Sequence, residues 1–309
     1  MIGLLILLFA QAAAAQSAGR VAADARAPSE IVTAAPASDW VDIAPADLLV
    51  MTLAPNRDGK ARRVVIQLMP PPFSQGWIGN IRKLAAAHWW DGTSVNRVQD
   101  NYVAQWGDAN GDDKAKAKPL PPGLAVVPES EYEFKRDSKE ALHMFAFAVA
   151  TDSYDASVGF IGGWPVGEAV KTWPVHCYGM VGVGRDLPPN TGTGAELYTV
   201  IGHAPRHLDR NIALVGRVIS GIENLSSLPR GTEALGFYKT AEERTPIVSI
   251  RLATELPAAE QPRFQYLSTE SASFARYADA RANRRDAFFI RPAGGADICN
   301  IPVPVRRRP

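Results

Sequence analysis

The sequence predicts a mainly β protein carrying a few helices, and three observations lead to that class. Apolar runs of strand length recur at Leu48 to Leu53, Arg63 to Leu68, Ala141 to Ala150, His176 to Val183, Ala213 to Val218 and Thr245 to Leu252. Turn-forming residues punctuate them, as Asn56, Arg57, Asp58 and Gly59 do between the first two. Helical spacing of apolar residues appears in fewer places: Trp77 to His88, Gly221 to Leu228 and Ser271 to Phe289.

At 309 residues, 46% hydrophobic and 21% charged, the chain is long enough to bury a sizeable core. A net charge of +1 and a pI near 7.8 give no field strong enough to argue for nucleic acid or anionic membrane as the main partner. Arg306, Arg307 and Arg308 form a local cluster read as a solvated tail.

The N-terminus opens with an apolar run, Ile2 to Ala10, and then small and polar residues to Gln16 before the first charge at Arg20. That pattern predicts a secretory signal peptide over residues 1–15, cleaved at the Ala13, Ala14, Ala15 site, and export to a bacterial periplasm. The apolar run is too short to span a bilayer comfortably, so no stable membrane insertion is expected after cleavage. Residues 16–39, rich in alanine, serine and proline, are expected to be a flexible spacer. The two cysteines, Cys177 and Cys299, allow either a disulfide in an exported chain or a buried free thiol at Cys177, and neither has metal-ligand spacing around it.

Order is expected from Trp40, with a first strand at Leu48 to Leu53 and a second at Arg63 to Leu68. After Pro70, Pro71 and Pro72, the residues Trp77, Ile78, Ile81, Leu84 and Ala85 recur at helical spacing. A hairpin over Thr93 to Gln105, turning at Gln99 to Asn101, brings Arg97 and Gln105 to one face beside Tyr102 and Val103. A polar fork next to an apolar floor suits an amide flanked by an apolar ring. The polar stretch Asp108 to Pro122 has Gly111 at the fourth position, where a calcium loop of the EF-hand type needs glycine at the sixth, so it reads as a solvated loop. Between strands, Gly162, Gly163, Trp164, Pro165 and Trp173 read as a covering segment that protects a sheet edge or closes over the site. Near the C-terminus, Phe274, Tyr277 and Ala278 share one helical stripe, which predicts a helix packed on the domain.

The run Trp90-Asp91-Gly92-Thr93-Ser94-Val95-Asn96-Arg97-Val98, followed by Tyr102-Val103-Ala104-Gln105-Trp106-Gly107-Asp108, resembles the signature of cyclophilin-type peptidyl-prolyl isomerases. Asn190 to Tyr198 is similar, more weakly, to the family's second segment. His207-Leu208-Asp209 stands where the family has Trp-Leu-Asp, and Ala213 to Val218 where it has a Val-Phe-Gly-x-Val strand. The resemblance spans about residues 46–255. It implies a closed antiparallel eight-stranded β-barrel capped by two helices over residues 40–256, with an insertion at about 109–175 and a C-terminal extension over 257–309.

The activity implied is cis/trans isomerisation of X-Pro bonds in exported polypeptides, assisting their folding, with no cofactor. An X-Pro amide isomerises slowly because it must leave planarity against a barrier of about 18–20 kcal/mol. As it twists, its nitrogen lone pair becomes an acceptor, which a fixed guanidinium stabilises without proton transfer. The family's catalytic arginine falls on Arg97. Gln105 would orient the substrate backbone, and Tyr102, Val103, Tyr198, His207, Leu208 and Glu196 would complete the substrate site.

Departures from the family pattern are Val95 and Asn96 for Phe-His, Val103 for Met, Trp106 for Gly, Glu196 and Leu197 for Gln-Phe, and His207 for Trp. Val103 and Leu197 should loosen the proline pocket, Glu196 should compete for Arg97, and His207 predicts weak cyclosporin binding. The alternative is a cyclophilin-like module that binds peptides or a partner protein with little turnover. A monomer is expected. No His-Glu-x-x-His, Gly-x-Ser-x-Gly or phosphate-binding glycine motif supports a metal, serine-hydrolase or nucleotide chemistry.

Overall fold

The computed structural model describes residues 25–135, 145–146, 152–155 and 157–309. In chain order the strands are β1 (Trp40–Asp42), β2 (Leu48–Leu53), β3 (Arg62–Leu68), β4 (Ser94–Val98), β5 (Val103–Gly107), β6 (Phe145–Ala146), β7 (Ser157–Ile161), β8 (Trp164–Glu168), β9 (Thr172–Pro174), β10 (Met180–Val183), β11 (Leu197–Val200), β12 (Leu214–Ser220), β13 (Thr245–Leu252), β14 (Phe264–Leu267) and β15 (Val305–Arg307). The helices are α1 (Pro28–Thr33), α2 (Gln75–Ala86), α3 (Glu223–Ser226) and α4 (Ala272–Ala282).

Eight strands close into an antiparallel barrel in the order β10-β11-β5-β4-β13-β2-β3-β12, with β12 pairing back to β10. Two-residue alternation fills it. Leu49, Met51 and Leu53 of β2 and Val64, Ile66 and Leu68 of β3 point into one core, where they meet Val95, Trp106, Val181, Val183, Leu197 and Ile250. Trp77, Ile78, Ile81 and Leu84 of α2 and Leu225 of α3 join that cluster, so both helices seal the barrel interior. The expected second covering helix is shortened to four residues, because Pro229 follows and disfavours helical geometry at Leu228.

The outward residues of β2 and β3 are buried as well. Leu48, Val50 and Val65 pack with Ala253 and Phe264 beneath the three-stranded sheet β1-β14-β15. Arg306 and Arg307 are therefore part of a strand and not a solvated tail. Arg307 pairs with Phe264, and the Arg306 guanidinium lies 4.0 Å from the centroid of the Trp40 ring.

A second core forms outside the barrel. Ile31 of α1, Phe160 of β7, Trp164 of β8, Phe274 and Tyr277 of α4, and Ile298 and Ile301 gather against Met180 and Leu214 on the barrel wall. The spacer expected over 16–39 is thus ordered at least from Pro28, since Ile31 is 1% exposed and α1 packs on α4. The covering segment expected around Gly162 to Trp173 belongs to a four-stranded sheet, β6-β7-β8-β9, whose Trp164 and Trp173 are buried. Cys177 and Cys299 form a disulfide that ties the C-terminal extension to the barrel.

The expected strand at His176 begins only at Met180, because the His176 N–H donates to the Asp209 carboxylate at 2.9 Å instead of to a strand. The proposed signal peptide lies outside the described residues. So does the strand at Ala141 to Ala150, apart from Phe145 and Ala146. None of the described helices is long and apolar enough to cross a membrane.

Candidate active site

The site begins with a β-bulge. Val95 pairs with Trp106 and Arg97 with Gln105, so Asn96 is the extra residue in β4. The bulge lets Val95 and Val98 both enter the core while Arg97 is aimed outward. Register then lays a row across the outer barrel wall: Arg97 beside Gln105 (β5), Gln105 beside Tyr198 (β11), and Tyr198 beside Gly182 (β10). Two residues along, on the same face, Val103 and Val200 join Tyr198 in a small buried apolar cluster against which Tyr102 and Ile212 pack.

Arg97 is half-buried and firmly held. Its Nε donates to the Leu235 carbonyl at 2.7 Å and its Nη1 to Gln105 Oε1 at 3.2 Å, while Nη2 donates to Gln99 Oε1. The guanidinium carbon sits 5.6 Å from the Tyr102 ring centroid and 5.3 Å from that of Phe237. Burial lowers its pKa, yet an arginine stays charged at neutral pH. A fixed cation beside an apolar surface can stabilise an electron pair that develops on a neighbouring atom, with no proton transferred.

Glu196 does not compete for Arg97 as the sequence suggested. Its Oε2 accepts from Gln105 Nε2 at 2.8 Å, so Gln105 bridges the guanidinium and the carboxylate with its two ends. Burial pushes the Glu196 carboxyl up, against the Gln105 hydrogen bond and assisted by Asp112 and Asp108. The loop carrying those aspartates turns on its own carboxylates: Asp108 accepts from the Asn110 and Lys118 N–H groups, and Asp113 from that of Ala115.

His207 is exposed and stacks on Tyr102, ring centroids 6.5 Å apart and planes within 10°. Leu208, on the same short 3₁₀ turn, is half-buried. Tyr198 is 5% exposed, and its hydroxyl lies 2.8 Å from His176 Nε2. Burial holds its phenol well above the ordinary pKa, so the hydroxyl is a donor. All eight residues singled out from the sequence therefore lie on this wall or at its edge. Gln99, Leu235, Phe237, Ile212 and His176 belong to it too and were missed. Gln99 was legible as part of the turn, while Leu235 and Phe237 reach Arg97 from far along the chain with no local pattern to mark them. A cavity of about 470 Å³ lined by Arg63, Glu260, Arg263 and Arg307 contains none of these residues.

Among known proteins, the family model described as cyclophilin-type peptidyl-prolyl cis-trans isomerase/CLD matches residues 64–252. The cyclophilin AquaCyp293 from Hirschia baltica is similar in structure, with a TM-score of 0.65 and 23% identity over 86% of this chain and 92% of that one. A cyclophilin-type isomerase of Cryptosporidium parvum aligns with a TM-score of 0.39 and 15% identity over 66% of this chain and 97% of its own. No curated protein sequence matches the chain.

Proposed function

Because the chain belongs to the cyclophilin-type peptidyl-prolyl cis-trans isomerase family, we propose that it accelerates the isomerisation of X-Pro bonds, with Arg97 as the electrostatic catalyst. The observation that carries this reading is the seat of Arg97. Three of its donors are tied down while its face lies against Tyr102 and Phe237, beside the floor made by Val103 and Tyr198. A proline ring on that floor would bring its amide nitrogen to the guanidinium, which favours the twisted amide over the planar one. Gln105, oriented by Glu196, is positioned to hold the substrate backbone.

The substrates we infer are exported polypeptides whose folding waits on proline. The Cys177–Cys299 disulfide supports an oxidising compartment, and the apolar N-terminal run of the sequence supports export. A second reading, a peptide-holding module with little turnover, draws on the engagement of three of the five Arg97 N–H donors by protein partners.

The test is isomerisation of short X-Pro peptides by the oxidised protein and by Arg97→Ala, with peptide affinity measured alongside. Loss of a fixed electrostatic donor costs about 10²–10³ in rate. The expected result is a fall of that order in kcat/KM with affinity changed less than about threefold. Wild-type protein that binds peptides without accelerating them would replace the isomerase by the binding module.

A further inference from the structure

Behind the apolar floor runs a buried polar chain that the isomerisation chemistry does not use. Tyr198 Oη meets His176 Nε2 at 2.8 Å, and His176 Nδ1 meets Asp209 Oδ1 at 2.7 Å. Asp209 Oδ2 accepts from Arg206 Nε at 2.8 Å. Arg206 in turn grips the insertion: Nη1 and Nη2 donate to the two oxygens of Asp152 at 3.1 Å each, and Nη2 also to Asp155 Oδ2 at 2.5 Å. The Arg206 guanidinium lies 4.9 Å from the Tyr154 ring centroid as well. His176 is 1% and Arg206 3% exposed, so neither exchanges these partners for water.

The direction of each bond follows from the donor inventory. The Asp209 carboxylate, which already receives Arg206 and the His176 backbone N–H, accepts from Nδ1–H. In the neutral imidazole that leaves Nε2 as the acceptor for the Tyr198 hydroxyl. The imidazole and phenol planes lie within 9° of each other. Swinging the Tyr198 ring off the wall therefore breaks a buried hydrogen bond. Gly182 supplies the space for the ring, since a Cβ there would meet Tyr198 Cζ and Oη at 2.3 Å. The same chain secures the turn over Arg206–Leu208, because its first residue, Arg206, and the residue that follows it, Asp209, are both links. His207 and Leu208 sit between them.

We propose that His176, Asp209 and Arg206 are positioning residues that lock Tyr198 and the 206–209 turn into the walls of the substrate pocket, and that Asp152 and Asp155 make this lock depend on the docked insertion. Through Asp152 and Asp155 the insertion thereby sets proline affinity. This rests on the isomerase reading of the same wall, so its test carries a readout that survives the failure of that reading.

The variants are Tyr198→Phe, which keeps the ring and removes the tether, and Asp152→Asn/Asp155→Asn, which weakens the far end. Loss of one buried hydrogen bond corresponds to about a tenfold change. Both variants should raise KM for an X-Pro peptide about tenfold and leave kcat within about twofold, and combining them should add little further. Unchanged KM in either variant of an active enzyme overturns the proposal.

The independent readout is the ¹⁵N spectrum of His176. It should show Nδ1 protonated and Nε2 bare in the wild type, with Nε2 shifted in Tyr198→Phe and both nitrogens shifted in the aspartate variant. Wild-type protein inactive on every peptide would remove the isomerase reading while these spectra still decide the lock. A His176 signal indifferent to the aspartate substitutions overturns it.

Discussion

Reduction of the Cys177–Cys299 bridge should cost this protein a large part of its stability, and the size follows from its span. The two cysteines are 122 positions apart, and closing a loop of that length removes about 4.9 kcal/mol of conformational entropy from the unfolded chain in the chain-entropy account. The bridge joins the segment before β10 to the C-terminal extension, which is also held by Phe274 and Tyr277 in the second core and by the Tyr277 hydroxyl on the Pro302 carbonyl at 2.7 Å. Those contacts belong to the folded state and remain after reduction, so the loss registers in the unfolded ensemble. At a urea m-value of about 3 kcal/mol per M, the midpoint should fall by roughly 1.6 M. The assay is urea unfolding with and without a phosphine reductant, followed by tryptophan fluorescence and far-ultraviolet circular dichroism. Coincidence of the two signals establishes a single transition. Cys177→Ala/Cys299→Ala provides the control, because reductant should leave its midpoint unmoved. A shift below about 0.3 M in the wild type would refute the entropic reasoning.

Two further outcomes are expected. Burial, opposed by Arg206 and aided by Asp209 and Asp152, pushes Asp155 up to about 6. Between its unfolded value of about 3.9 and that folded value the native chain holds a proton the unfolded chain has released. The contribution is thus fully present below about 3.9 and is lost as pH rises through about 6, at a slope of up to about 1.4 kcal/mol per pH unit. Asp155→Asn should flatten that part of the stability curve, and parallel curves for the two proteins would count against the assignment. Gly182→Ala drives a methyl into the Tyr198 ring and should cost about 1–3 kcal/mol in urea unfolding. In a Tyr198→Ala background the same change should be nearly silent, and an equal cost in both backgrounds would show that the ring is not what the methyl meets.

Particular residues show how far the sequence could be read. The Arg97 and Gln105 hairpin was legible because it is local: alternation and a short turn put both side chains on one face, and the bulge at Asn96 tunes the aim without changing the neighbour. Tyr198 was legible as a wall residue through the family pattern, but its tether was not, since nothing near His176 in the chain announces that its ring reaches a tyrosine and an aspartate on other segments. Glu196 was assigned to the wrong partner, because a carboxylate and a guanidinium attract in any sequence argument, and only the register of β11 against β5 sets Gln105 between them. The spacer misled through its composition: an alanine- and proline-rich stretch looks soluble, yet Ile31 is buried in a core that α4 and other segments more than a hundred residues away help to build.

By itself the sequence determined most of the barrel strands, the helix α2 that seals them, the aim of Arg97 and the family. The strands, the helix and the Arg97 hairpin are dictated by periodicity and turn chemistry acting over a few residues, and the family by the motif residues around Arg97 that resemble its signature. The tertiary structure alone decided the second core, the Cys177–Cys299 bridge, the partner of Glu196 and the buried path from Asp152 and Asp155 to Tyr198. Those depend on which distant surfaces meet. A buried donor or charge takes whatever partner the closed fold brings within 3 Å, and no local pattern encodes that meeting.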